Sequence, residues 1–174
     1  GLGILTRELA KRAGKVIAIE LDTRLAASLV QTLSQFPNLT IINADVLDTE
    51  PAKLVTGGSY KVVANIPYYI TAPVLRHFLE AKAKPILMVV MVQREVGQRI
   101  LAQPGEMSLL AVSVQFYGRP RLVSRVPARS FSPAPKVDGT VLAIEVYPEP
   151  PLAKVGIPRF FAAVRAGFTQ PRKQ

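Results

Sequence analysis

Short apolar runs alternate with longer stretches of helical periodicity along the first hundred residues. KVIAIE at 15–20 is brief and β-branched, which predicts a strand buried inside a sheet. Residues 23–36 place Leu25, Leu29, Leu33 and Phe36 at spacings of three and four, so they predict an amphipathic helix with Thr23 near its start, ended by Pro37-Asn38. LTIINA at 39–44, KVVANI at 61–66 and PILMVVMVQ at 85–93 continue the strand series, each separated from the next by helix or loop. That alternation is the rhythm of an α/β sheet. After a helix expected over REVGQRILAQ, LLAVSVQFY at 109–117 and TVLAIEVY at 140–147 are predicted strands, and the Pro- and Arg-rich residues 118–139 between them an ordered functional loop. PRFFAAVRAGF at 158–168 has helical spacing and leads into a basic tail, QPRKQ.

Composition narrows the class. With 174 residues, 49% of them hydrophobic, the chain can bury one sizeable core, so a single globular domain is expected and disorder is not. There is no cysteine, which excludes disulfides and thiolate metal sites and fits a reducing, cytoplasmic setting. Neither a membrane-spanning run nor the charged-then-apolar order of a signal peptide is present in the sequence. Charge is informative once divided: residues 1–60 hold six Lys/Arg and six Asp/Glu, whereas 61–174 hold sixteen and six. The whole excess of +10 therefore lies in the second part, including five basic residues and no acid between Arg119 and Val137. A polyanionic partner is one reading, and a solubilising basic surface the other.

Several residues could carry chemistry. GLGILTRELAKR looks like the glycine-rich turn and first helix of a nucleotide-binding unit without the strand that should precede it, so the chain is expected to be cut at its start and neighbouring strands to be left partly unpaired. Gly1 and Gly3 could let backbone approach a ligand, and Glu20, at the end of the next strand, could accept hydrogen bonds from ribose hydroxyls; a glycine turn and a surface carboxylate is the plainer alternative. Asp45 ends the following strand, where it could accept from an adenine amine or cap a turn. The sharpest signal is Asn65-Ile66-Pro67-Tyr68-Tyr69, directly after a strand. An exocyclic adenine amine is a poor nucleophile because its lone pair is delocalised, so a catalyst gains by accepting both its hydrogens. Asn65 supplies a side-chain oxygen and the backbone carbonyl next to Pro67 another acceptor, while Pro67 stiffens the turn and Tyr68 can stack on the base. This chemistry needs no metal. A strand-ending turn with two packed tyrosines is the alternative.

In this order the residues resemble a known family. Asn65 to Tyr68 is similar to the Asn-Leu/Ile-Pro-Tyr signature of ribosomal RNA adenine dimethyltransferases, with GLGILT, IELD and NADVL ahead of it in the family's order. MVQREVGQRI resembles the family's Gln-Lys/Arg-Glu-Val segment, FSPAPKVD at 131–138 its Phe-x-Pro-x-Pro-Lys-Val-Asp loop, and GFTQPRKQ its Phe-x-Gln-Arg-Arg-Lys helix, with Pro171 where an Arg is usual. The resemblance implies an α/β fold: a Rossmann-like class I S-adenosylmethionine-dependent methyltransferase sheet lacking its first strand, over residues 1–150. Residues 151–174 would be the start of the family's helical RNA-binding domain, so truncation at both ends is expected. It further implies that Gly1, Gly3, Glu20, Asp45 and Asn65 contact the cofactor S-adenosylmethionine, with Glu20 on the ribose and Asp45 on the adenine amine. Asn65 and the Ile66-Pro67 backbone would hold the target amine, with Tyr68 on one face of the flipped base and Phe131 on the other; Phe131 as a core anchor of its loop is the alternative. Arg119, Arg121, Arg125, Arg129 and Lys136 would seek phosphates. The implied enzyme is a monomer without metal or membrane attachment that dimethylates two adjacent adenosines of small-subunit rRNA in the immature subunit. A large-subunit rRNA methyltransferase of the macrolide-resistance type, or a non-catalytic nucleic-acid-binding relative, is the alternative, and the intact Asn65–Tyr68 run argues against lost catalysis.

Overall fold

The computed structural model describes residues 1–55, 57–131, 134–151 and 156–169. In order these form α1 (Ile4–Ala10), β1 (Val16–Glu20), α2 (Thr23–Thr32), β2 (Leu39–Asn43), α3 (Pro51–Leu54), β3 (Lys61–Asn65), α4 (Thr71–Leu79), β4 (Leu87–Gln93), α5 (Arg94–Ile100), α6 (Leu109–Tyr117), β5 (Gly118–Val126), β6 (Gly139–Val146) and α7 (Ile157–Phe168). They fall into two compact units, Gly1–Thr56 and Gly57–Gln174.

In the first unit β1 and β2 pair in parallel, from Val16 opposite Leu39 to Glu20 opposite Asn43. Asp22 starts α2 by accepting from the backbone N–H groups of Arg24 (2.8 Å) and Leu25 (3.0 Å), two donors that the first helical turn leaves unpaired. Ala26 and Leu29 of the helix and Leu33 just beyond it are buried. The helix stops at Thr32, short of the Pro37-Asn38 that was expected to end it. Asn38 instead donates from Nδ2 to the carbonyls of Ala10 and Ala13, both at 2.8 Å, and satisfies the end of α1.

The second unit is a four-stranded sheet in the order β3-β4-β6-β5, with β3 parallel to β4 and β6 antiparallel to both neighbours. Its core is one sheet face, where Met88, Val90 and Val92 of β4 and Leu142 and Ile144 of β6 are fully buried. α5 reaches that face because Gly97 has no side chain: a Cβ there would stand 2.9 Å from Thr140 Cγ2, closer than packed atoms tolerate. Among the described residues β1 and β3 each pair with a single neighbour.

Two expectations are corrected. LLAVSVQFY is a helix, not a strand. Its apolar run of nine is too short for periodicity to separate the two, and tertiary partners decide: the Ser108 hydroxyl caps the Ala111 N–H at 3.3 Å, and Gln115 Nε2 donates to the Ile100 and Ala102 carbonyls at 2.8 and 2.9 Å. The 118–139 segment is not loop throughout, since 118–126 form edge strand β5, a position that tolerates Pro120. α7 joins the second unit through rings, with Phe160 stacked on Phe116 at a centroid separation of 4.4 Å. Ser132, Pro133 and the QPRKQ tail with Pro171 lie outside the described residues. Among the described residues no helix is long and apolar enough to cross a membrane.

Candidate functional site

In the first unit the predicted residues gather at the carboxyl ends of β1 and β2. Gly3 precedes α1 with φ +76°, a left-handed conformation that glycine adopts without penalty, and a Cβ there would meet Leu29 Cδ2 at 2.5 Å. Gly1 has open space around its Cα, and its backbone nitrogen donates to the Glu20 carboxylate. Glu20 also accepts from the Asp22 backbone N–H at 3.1 Å. Partial burial works against ionisation, but the hydrogen bonds from the Gly1 nitrogen and the Asp22 N–H outweigh it and hold the Glu20 carboxyl below its usual range. Asp45 is half-buried and accepts from the Leu47 N–H at 2.9 Å, so the turn-capping alternative is realised, with one carboxylate oxygen left over.

Asn43 is the residue that sequence reasoning missed. Directly opposite Glu20, it donates from Nδ2 to the carbonyls of Glu20 (2.8 Å) and Leu21 (3.0 Å) and accepts from the Thr23 hydroxyl at 2.9 Å. Both donors of its amide thus fix the backbone that carries the Glu20 carboxylate, while its oxygen ties to the first residue of α2. The signal was the Asn two residues before Asp45, which read simply as the end of a strand.

In the second unit β3 delivers Asn65 to the sheet's edge. Ile66 prolongs the ladder by donating its N–H to the Met91 carbonyl at 3.3 Å, and its buried side chain anchors the turn. Pro67, at φ −55° and ψ 135°, then starts a single 3₁₀ turn over Tyr68–Ile70, closed by Ile70 N–H donating to the Pro67 carbonyl at 3.1 Å and by the buried Thr71 hydroxyl donating to the Tyr68 carbonyl at 3.2 Å. Of the two carbonyls beside Pro67, its own is therefore spent. The Ile66 carbonyl and the exposed Asn65 amide accept no hydrogen bond among the described residues. Tyr68 is half-buried and Tyr69 exposed.

The same edge carries the basic segment. Asn65 pairs with Met91, Gln93 with Gly139, and Gly139 with Val126, so the Asn65–Tyr68 turn, the start of α5 and residues 127–138 all leave one end of the sheet. Asp138 ties that segment down by accepting from the Ala128 N–H at 2.9 Å through Oδ1, and from the Arg94 N–H at 2.9 Å through its carbonyl. Phe131 follows a 3₁₀ turn and is half-buried, between the stacking and anchoring alternatives.

The predicted basic residues do not form one face. Arg119 and Arg121 stand opposite Glu145 and Ala143, and Arg121 Nε lies 3.6 Å from Glu145 Oε1. Val123 is then the extra residue of a bulge, which turns Arg125 to the opposite face, across from Thr140. Arg129 and Lys136 are exposed in the segment beyond.

Comparison with known proteins gives one answer. The family model described as ribosomal RNA adenine dimethylase matches residues 1–174. A ribosomal RNA small subunit methyltransferase A from Dehalococcoides mccartyi is 51% identical over 174 residues, which is 99% of this chain and 60% of the relative. The crystal structure of the 23S rRNA methyltransferase ErmE superposes with a TM-score of 0.83 at 35% identity, covering 97% of this chain and 67% of ErmE. A dimethyladenosine transferase from Plasmodium falciparum has the same TM-score at 27% identity, over 100% of this chain and 62% of its own. The expected Rossmann-like class I methyltransferase fold is borne out. The chain spans about 60% of the length of three curated relatives that it matches, all of them small subunit methyltransferases A of Dehalococcoides mccartyi.

Proposed function

Because the chain belongs to the ribosomal RNA adenine dimethylase family, we propose that it methylates N6 of two adjacent adenosines in small-subunit rRNA, using S-adenosylmethionine. The observation that carries this reading is the pair of unspent acceptors on a pinned turn, the Asn65 side chain and the Ile66 carbonyl. An adenine amine offers two hydrogens, and two fixed acceptors draw density onto its nitrogen as the new bond forms, with no reorganisation of the turn at that moment. Tyr68 holds one face of the flipped base, and Phe131, from the segment leaving the same sheet edge, the other. Arg125, Arg129 and Lys136 neutralise phosphates nearby, with Arg119 and Arg121 on the opposite side of the bulge.

The chain's residues fit the cofactor. Glu20 is held ionised with its backbone locked by Asn43, which suits a carboxylate accepting from a pair of ribose hydroxyls. Asp45 keeps one oxygen for an adenine amine, while Gly1 leaves open space beside the Glu20 carboxylate and Gly3 supplies the left-handed turn that packs against Leu29. S-adenosylmethionine supplies an electrophilic methyl group on a sulfonium, so Asn65 and Ile66 need only orient the amine. α7 opens the helical RNA-binding region in this reading.

The test supplies the protein with methyl-labelled cofactor and either immature small subunits or large subunits. Label on N6 of small-subunit adenosines is the expected result. Label confined to the large subunit would select the chemistry named for ErmE instead, and RNA binding without any label would select a non-catalytic role.

A further inference from the structure

We propose that Tyr69 is a second stacking platform, one that holds the nucleobase next to the target adenosine rather than the target itself. Of the five tyrosines, Tyr60 is half-buried with its hydroxyl donating to the Ala83 carbonyl at 2.7 Å, Tyr117 is buried, and Tyr68 and Tyr147 are half-buried. Tyr69 alone is open, at 83% exposure, and its ring and hydroxyl have no partner among the described residues. An aromatic ring of that size is ordinarily at least partly covered, because its apolar body gains from burial.

Its backbone is not loose. Tyr69 is the middle residue of the 3₁₀ turn closed by the Ile70–Pro67 and Thr71–Tyr68 hydrogen bonds, with Ile66 and Thr71 buried on either side. A ring on a fixed turn loses little freedom when a planar ligand covers it. Three residues per turn set successive side chains of a 3₁₀ helix about 120° apart, so Tyr68 and Tyr69 cannot flank the same base. A strand whose target base has left the stack also exposes the face of that base's neighbour, and the neighbour meets a ring one residue along from Tyr68. The ligand class is an unpaired nucleobase of either type, since stacking tolerates any base.

The inference rests on the reading of the chain as an RNA adenine methyltransferase, and a double-mutant cycle separates the two. Affinity would be measured for a hairpin with two adjacent adenosines, for the same hairpin abasic at the flanking position, and for one abasic at the target, using the unaltered protein, Tyr69→Ala and Tyr69→Phe. Tyr69→Ala should weaken binding about ten-fold on the intact hairpin and on the target-abasic hairpin, and have no effect on the flank-abasic one. Tyr69→Phe should bind like the unaltered protein throughout. An equal loss on all three hairpins, or none on any, overturns the role of Tyr69 while leaving the methyltransferase reading intact. If the unaltered protein binds none of the hairpins, both fall.

Discussion

The two parallel strand pairs have the same design and use their last residue in opposite ways. β1–β2 and β3–β4 each pair five residues in unbroken register, and each ends on the polar side chain of interest, Glu20 opposite Asn43 and Asn65 opposite Met91. Glu20 faces an amide that binds its backbone, and its carboxylate already accepts from protein donors. Asn65 faces an apolar residue that offers nothing to its side chain, so its acceptor has no partner among the described residues. On the proposed reading, the group that holds a ligand through a stable charge is built into a network, whereas the group that polarises a reacting atom is left open on a rigid support.

Breaking the open end should have the largest consequence. Asn65→Ala removes an acceptor needed at the reacting amine, so single-turnover methylation should slow by about 10²–10³-fold while the dissociation constant for the rRNA hairpin changes little. A parallel loss of hairpin affinity would erase the distinction between the two strand ends. Glu20→Gln should act on the cofactor instead, weakening S-adenosylmethionine binding in calorimetric titration by about 10–100-fold, the scale of a charge-assisted hydrogen bond. The pH dependence follows from the same carboxylate. Its pKa is lowered in the fold, so the charge is complete at neutral pH and is lost only as pH falls through that lowered value. Cofactor affinity of the unaltered protein should hold level down to about pH 4.3, the ordinary glutamate value, and decline below it, whereas the Gln variant shows no such step. Asn43→Ala should have the smallest effect: melting measurements should show a loss of about 1 kcal/mol for an exposed amide, with a cofactor affinity only a few-fold weaker. An Asn43 variant as damaging as the Glu20 variant would mean that Asn43 itself touches the ligand.

Much of the candidate site was legible because its residues are contiguous. Asn65–Tyr68 sits where a β-branched strand gives way to proline, and proline's fixed angle and missing N–H make such a turn readable from local chemistry alone. The βαβ order of the first hundred residues was readable for a similar reason, since short β-branched runs bounded by turn residues mark strands locally, although β1, β2 and β3 are half-buried or exposed rather than enclosed as expected. Legibility failed at LLAVSVQFY, where a mostly apolar run of nine residues satisfies strand and helix equally and the choice lay with Ser108 and the Ile100 and Ala102 carbonyls that Gln115 reaches. It failed again at Asn43, whose role exists only because β1 lies beside β2.

The order of residue types along the chain was enough to determine the α/β class and the family resemblance and to nominate candidate groups for chemistry, because strand propensity, turn chemistry and acceptor count are properties of short segments. Register and pairing decided the rest. Nothing in the spacing of Arg119, Arg121 and Arg125 announces the bulge at Val123, yet that one extra residue separates them onto two faces. Nor does the sequence say which carbonyl beside Pro67 remains free, because that depends on where Ile70 directs its N–H. Side-chain direction alternates with every residue of a strand, so a displacement of one position inverts a surface while leaving the composition unchanged.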